Sequence, residues 1–395
     1  MDNDRPFATP PPKKRSPFGR RPRQPKLNTQ PKPPKKHWWH RWHNFSRKQK
    51  IISVGVGVLV LLAIVVGVGL ALHKSPVAII KKSKPVAAKP TTVASPLTGV
   101  QVAPALAARP VTGIMIENSD DARPQSGLQD AGVVYEAIAE GGITRFLALF
   151  QDSTPQYIGP IRSLRPYYID FAAPFEASIV HVGGSSDALS QVQNGRYRNL
   201  DQFSNGDYFT RISSRDAPHN VYTSFGSLDK LNASKGYTKS KFSSWARKAD
   251  HKLVTPTAKT INLAISSPDF YSHYDYNATT DSYLRSEGGA PHKDLVSATD
   301  TTGVELNPKV VVAIVVPLSN GILDASNAYY SNYADSGTGT AYIFQDGSVT
   351  VGTWTKPGTT GQLEFADSQG KGVKLNAGQT WVSLVSAASQ VTYSP

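Results

Sequence analysis

The chain has 395 residues, a formal net charge of +14 and no cysteine. The missing cysteine excludes disulfides, thiolate catalysis, thiolate metal sites and a lipid-modified cysteine in one step. The charge sits in the flanks: residues 1–50 hold fifteen Lys and Arg against Asp2 and Asp4, residues 73–96 hold five lysines and no acid, and residues 97–395 carry more acids than bases. The folded part therefore lacks the basic surface of a nucleic-acid binder, and no nucleic-acid partner is expected.

Residues 1–50 contain ten prolines and little that could form a core. They read as a disordered basic tail, suited to lying on anionic lipid head groups. His37, His40 and His43 share a helical spacing, but Trp38, Trp39 and Trp42 beside them mark a membrane interface rather than a metal site. Residues 51–72, from Ile51 to Leu72, hold no ionisable group. At about 1.5 Å per residue they make a helix about 33 Å long, enough to cross a bilayer core once. The richer basic count on the N-terminal side places the tail in the cytoplasm and the rest outside the cell membrane. Ser53, Gly57, Ala63 and Gly67 permit helix pairing in the membrane without specifying an oligomeric state. Residues 73–96 read as a Pro/Lys-rich linker.

The expected fold is an α/β (or α+β) ectodomain over 97–240, a linker over 241–257, and a mainly antiparallel β domain over 258–395. Val111–Ile116 is an apolar run. "AGVVYEAIAE" fits strand or helix, and the spacing of Glu136 and Glu140 puts both on one side under either reading. "ITRFLALFQ" alternates as a strand, with Arg145 on the face of Ile143 and Leu147. "GPIRSLRPYYIDFA" begins as a turn and becomes a short helix opened by Pro166. "ASIVHVGGSSDALSQVQNG" reads as strand, glycine turn and helix, with Ser185 and Ser186 as caps. From residue 258 onward "TINLAIS", "VVVAIVV" and "AYIFQDGSVTVGTW" read as strands, the last turning at Asp346-Gly347.

Two chemistries follow. Arg145, Arg162 and Arg165, with Arg123 and Arg215, suit a phosphate, pyrophosphate or carboxylate, since guanidinium forks bind such groups bidentately. Gly183, Gly184, Ser185 and Ser186 end a strand and open a helix, where free N–H groups favour an anion, and Asn220 lies in the loop that carries Arg215. The alternative is that the arginines, Glu136 and Glu140 neutralise each other in an internal network. His181 and His219 are candidate acid/base groups, and Glu136 with Glu140 a candidate carboxylate pair. No Walker loop, H-E-x-x-H or G-x-S-x-G is present. No cofactor or metal is expected, except Mg²⁺ if the chain is a phosphotransferase. Tyr283 to Asp294 and Gly352 to Lys356 mix aromatics and charge and could line a cleft.

"MIENSDDARPQSGLQDAGVVYEAIAEGGITRFLALF", "IGPIRSLRPYYID", "HVGGSSDA" and "RDAPHNVYTS" together resemble the YerB-like lipoprotein family, as do "GTAYIFQDGSVTVGTWTK" and "GQTWVSLV". The resemblance implies a bacterial cell-envelope domain of unassigned function. It departs in one respect: a lipoprotein needs an acylated cysteine, and here the apolar helix takes that place. A looser analogy links the layout to the LytR-CpsA-Psr phosphotransferases, whose arginines grip a polyprenyl pyrophosphate. The expected activity is binding of an anionic cell-wall polymer or polyprenyl-linked ligand. The alternatives are a phosphotransferase or hydrolase on such a phosphate, and a non-catalytic interaction module.

Overall fold

A computed structural model of the chain describes residues 46–72 and 91–395. The expectations for the basic tail before residue 46 and for the linker over 73–90 lie outside the described residues. The described residues fall into two units, a helix and a folded body.

The helix spans Arg47–Leu72. From Ile51 to Leu72 it carries no ionisable side chain on any face, a pattern compatible with a hydrocarbon surrounding. Among the described residues it is the one helix long and apolar enough to cross a membrane.

The body is built on a ten-stranded sheet. Its order is Glu364–Asp367, Ser348–Lys356, Gly337–Gln345, Val310–Val315, Thr380–Val385, Val133–Glu140, Ile143–Phe150, Thr112–Glu117, Ser178–His181, Arg198–Asp201. The C-terminal strands join the N-terminal ones where Thr380–Val385 runs parallel to Val133–Glu140, with Trp381 beside Val134. A second sheet, wholly antiparallel, contains Ala290–Pro291, Ser282–Glu287, Tyr271–Asn277, Thr260–Ala264 and Val391–Ser394. The expected fold class is what forms: α/β character in the first part, and mainly antiparallel pairing in the second.

The two central strands explain why sequence patterning is muted here. Val133–Glu140 and Ile143–Phe150 are covered on both faces, so nearly every position is buried. On one face Phe171, from the helix Pro166–Ala172, stacks on Tyr135 with ring centroids 4.6 Å apart. On the other, Phe146 meets Trp381 edge-on at 5.3 Å and His292 at 5.9 Å. Gly141 and Gly142, with φ of +59° and +80°, close the hairpin between the strands. Two consecutive positive φ values give the turn a twist that matches the strands. Asp346-Gly347 does the same for the hairpin predicted there.

One irregularity decides the chemistry. The register shifts between Ile138 and Glu140. Ile138 donates its backbone N–H to the Tyr333 hydroxyl at 2.9 Å. The extra residue inverts side-chain parity beyond it. Glu136 is paired with Phe146, whereas Glu140 is paired with Ile143 and so shares the face of Arg145. The expectation that Glu136 and Glu140 lie on one side is overturned: the bulge sends them to opposite faces.

Candidate functional site

The loops flagged in the sequence gather at one end of the large sheet. Leu164 accepts from the Ser185 N–H and donates to Gly183, so the arginine loop lies against the glycine turn. Arg215 donates to the carbonyls of Asp121 and Pro124, tying the last loop to the first. Arg145 and Glu117 sit opposite each other on adjacent strands, and side chains so paired project to the same face.

Glu140 is the centre of the first cluster. Its carboxylate accepts from Arg145 at 2.6 Å and from Arg165 at 2.5 Å. Burial alone would raise its pKa, but the charges of Arg145, Arg165 and, more weakly, Arg162 outweigh that and hold it below the ordinary carboxylate range. Arg145 spends its other terminal nitrogen on the Ser163 carbonyl at 2.9 Å, and Arg165 on the Leu164 carbonyl at 2.7 Å. Burial and the like charge of Arg145 hold the Arg165 pKa down against the pull of Glu140. Glu140 itself keeps 31% of its side chain exposed, so the cluster reaches solvent.

Glu117 centres the second cluster, and sequence reasoning passed over it. It ends the strand Thr112–Glu117 and is 2% exposed. One oxygen accepts from Arg162 Nε at 3.0 Å and Ser119 Oγ at 3.1 Å, with His219 Nδ1 also 3.0 Å away. The terminal nitrogens of Arg162 make no hydrogen bond to any described residue, and its side chain is 24% exposed. Asn220 accepts from Arg211 at 2.8 Å and braces its loop through weak contacts to Ile212 and Arg215.

Glu136 belongs to a different assembly on the opposite face. It is fully buried and accepts from Arg285 at 3.0 Å, Trp381 Nε1 at 2.9 Å and Ser383 Oγ at 3.1 Å. Arg285 also donates to Tyr274, His292 and Glu287, and lies 4.5 Å over the Trp381 ring. Burial works against its charge, yet Glu136, Tyr274 and Glu287 together outweigh burial and raise its pKa. Burial and the proximity of Glu136 push Glu287 up to about 7, partly offset by Arg285. His292 accepts from Arg285 and is held neutral by burial and by the charges of Arg285 and Arg123. Arg123 spans the edge of this assembly, bonding the Asn118 side chain and carbonyl and the Asp269 carbonyl. Arg285, Glu287 and His292 all come from the Tyr283–Asp294 stretch, whose mixture of charge and aromatics was the available signal.

The glycine turn is built as expected but is occupied from within. Ser185 caps the helix Ser186–Asn194, accepting from Ala188 N–H. The Ser186 N–H donates to the Asp324 carboxylate at 2.8 Å, and Ala325 N–H returns to Ser186 Oγ at 3.0 Å. Gly183 N–H goes to Asp201 at 3.1 Å, and Gly184 is bridged to Leu164. His181 is fully buried between the Gly183 carbonyl at 2.7 Å and Asn199 at 2.8 Å. Among the described residues, no group of three or more His, Asp or Glu is placed to hold a metal ion.

Family models for the N-terminal and C-terminal domains of a protein of unknown function, DUF3048, match residues 97–238 and 261–382. The chain belongs to the DUF3048 family. This DUF3048 chain is 30% identical over 270 residues to YerB of Bacillus subtilis strain 168, which is named as a lipoprotein. The match spans 65% of this chain and 76% of YerB. The crystal structure of YerB aligns with a TM-score of 0.67 at 26% identity, covering 77% of this chain and 100% of the YerB chain. The expected YerB-like resemblance is thereby shown in sequence and in structure. The DUF3048 body is shared, and this chain, which has no cysteine, carries among its described residues one helix long and apolar enough to cross a membrane.

Proposed function

We propose that this is a single-pass membrane protein whose extracytoplasmic DUF3048 body binds an anionic envelope component at Arg162. The observation that carries the reading is the state of that guanidinium. Nε is anchored on Glu117, and both terminal nitrogens are left without a partner among the described residues. A planar fork held by its stem suits bidentate contact with phosphate or carboxylate oxygens. The charge balance agrees, since among the described residues Arg145, Arg162 and Arg165 form ion pairs only with Glu117 and Glu140. Arg145 has the supporting role. It is 2% exposed, and its bond to the Ser163 carbonyl sets the loop that presents Arg162.

The test is calorimetric titration of full-length protein in detergent with inorganic phosphate, pyrophosphate and purified wall polymer. Binding that weakens as salt rises and is lost in Arg162→Ala supports the reading. Undiminished binding by folded Arg162→Ala, or no binding by the unaltered protein, defeats it. The helix Arg47–Leu72 and the basic excess before it support an orientation with the tail in the cytoplasm. Protease added to intact cells then digests the body and spares the tail; the reverse pattern rules the orientation out.

A further inference from the structure

His219 leads away from the arginine cluster to a second space. One ring nitrogen, Nδ1, lies 3.0 Å from Glu117 and 3.3 Å from Ser119 Oγ. The other, Nε2, makes no hydrogen bond to any described residue and stands 3.8 Å from the exposed carboxylate of Asp121. Both residues line a cavity of about 430 Å³, together with Ser214, Arg215, Asp216 and Ala217.

The lining narrows what fits. Ala217 is the one apolar side chain in it, so a lipid tail or aromatic group finds no surface to cover. Asp121 and Asp216 outnumber Arg215, so a free anion is repelled. Two carboxylates accept hydrogen bonds, the arginine donates them, the serine does both, and the histidine nitrogen donates or accepts according to its tautomer. A neutral molecule with several hydroxyl groups matches that alternation. The cavity is tied to the proposed anion site through one atom, because His219 Nδ1 and Arg162 Nε are each 3.0 Å from the same Glu117 oxygen.

We infer that the cavity is a saccharide subsite, and that the ligand is a glycan carrying an anionic group, with its sugar hydroxyls on Asp121, Asp216 and His219 and its anion on Arg162. The inference rests on the binding role proposed for Arg162 and adds the ligand class. Arg162 supplies charge attraction and the cavity supplies direction, so the two halves are separable by probe.

Full-length protein in detergent is titrated with glucose 1-phosphate, glucose and inorganic phosphate, using the unaltered chain, the double variant Asp121→Ala/Asp216→Ala, and His219→Asn. The sugar phosphate is expected to bind at least tenfold more tightly than phosphate. The double variant is expected to lower the affinity for the sugar phosphate to that variant's own affinity for phosphate, and His219→Asn to reduce the ratio between the two. Phosphate binding with no gain from the sugar overturns the subsite and leaves the Arg162 reading intact. A gain that survives in the double variant likewise overturns it. Failure of both phosphate and sugar phosphate to bind removes the Arg162 reading and this one with it.

Discussion

Glu140 accepts from Arg145 and Arg165 at once, at 2.6 and 2.5 Å, so one carboxylate compensates two guanidinium groups. Replacing it with alanine leaves two largely buried cations without a counter-charge, a change that costs about 3–5 kcal/mol when a buried pair is broken. Glu140→Gln keeps an acceptor and should cost less. Denaturant unfolding of the three proteins gives the order directly. The Glu140 pKa is depressed in the fold, so its contribution is complete above the unfolded value and is lost as pH falls through the folded one.

The fully buried pair Glu136–Arg285 predicts strong coupling rather than additive loss. Either Glu136→Gln or Arg285→Met strands a charge or polar partner where water cannot reach, at about 3–5 kcal/mol each. The double variant removes both and should be more stable than the sum of the single losses implies. A double-mutant cycle reads the coupling, and strict additivity would mean that the 3.0 Å contact carries no interaction.

Glu287 and Asp294 make stability depend on pH in the less usual direction. Burial pushes both up to about 7. Asp294 sits there while accepting from the N–H groups of Gly127, Leu128 and Gln129. Between the ordinary carboxylate range and about pH 7 the folded state binds more protons than the unfolded state, so these two groups lower stability as pH rises through that window. The slope flattens above it. Unfolding followed at pH 5, 6, 7 and 8 should show the decline, and Glu287→Gln should remove part of it. An unchanged slope in that variant assigns the effect elsewhere.

Much of this was legible in the chain, and the exceptions share one cause. Local chemistry was readable: Pro166 opens its helix, Ser185 caps the next, and Asp346-Gly347 turns a hairpin. The burial of Arg145 was readable too, because "ITRFLALF" surrounds it with apolar neighbours. What was not readable depends on residues far apart. The parity switch at Ile138 is fixed by Tyr333, 195 positions away, and the partner of Glu136 is Arg285, 149 positions away. Glu117 looked like the polar end of an apolar run, and only the approach of Arg162 and His219 makes it a centre. No periodicity within a strand encodes such meetings.

Asp324 offers a test of the hairpin Leu318–Leu323 and Tyr329–Tyr333, which reaches back to the start of the helix Ser186–Asn194. Bonds from the Ser326 side chain and from the Ser186, Ala328 and Ser326 N–H groups hold its carboxyl well below the usual range. A carboxylate at a helix N-terminus is favoured by the helix dipole as well. A second tie runs from the Tyr330 hydroxyl to Asp187 at 2.8 Å. In Asp324→Ala the first tie is lost and the second kept, so amide exchange should quicken across residues 318–333 and at Ser186. It should stay slow in Tyr271–Asn277, whose strand partners lie in the other sheet. Because the pKa is depressed, the same segment in the unaltered protein should keep its protection as pH is lowered through 4, where ordinary carboxylates lose their charge. Loss of protection at that pH would show that Asp324 does not hold the hairpin in place.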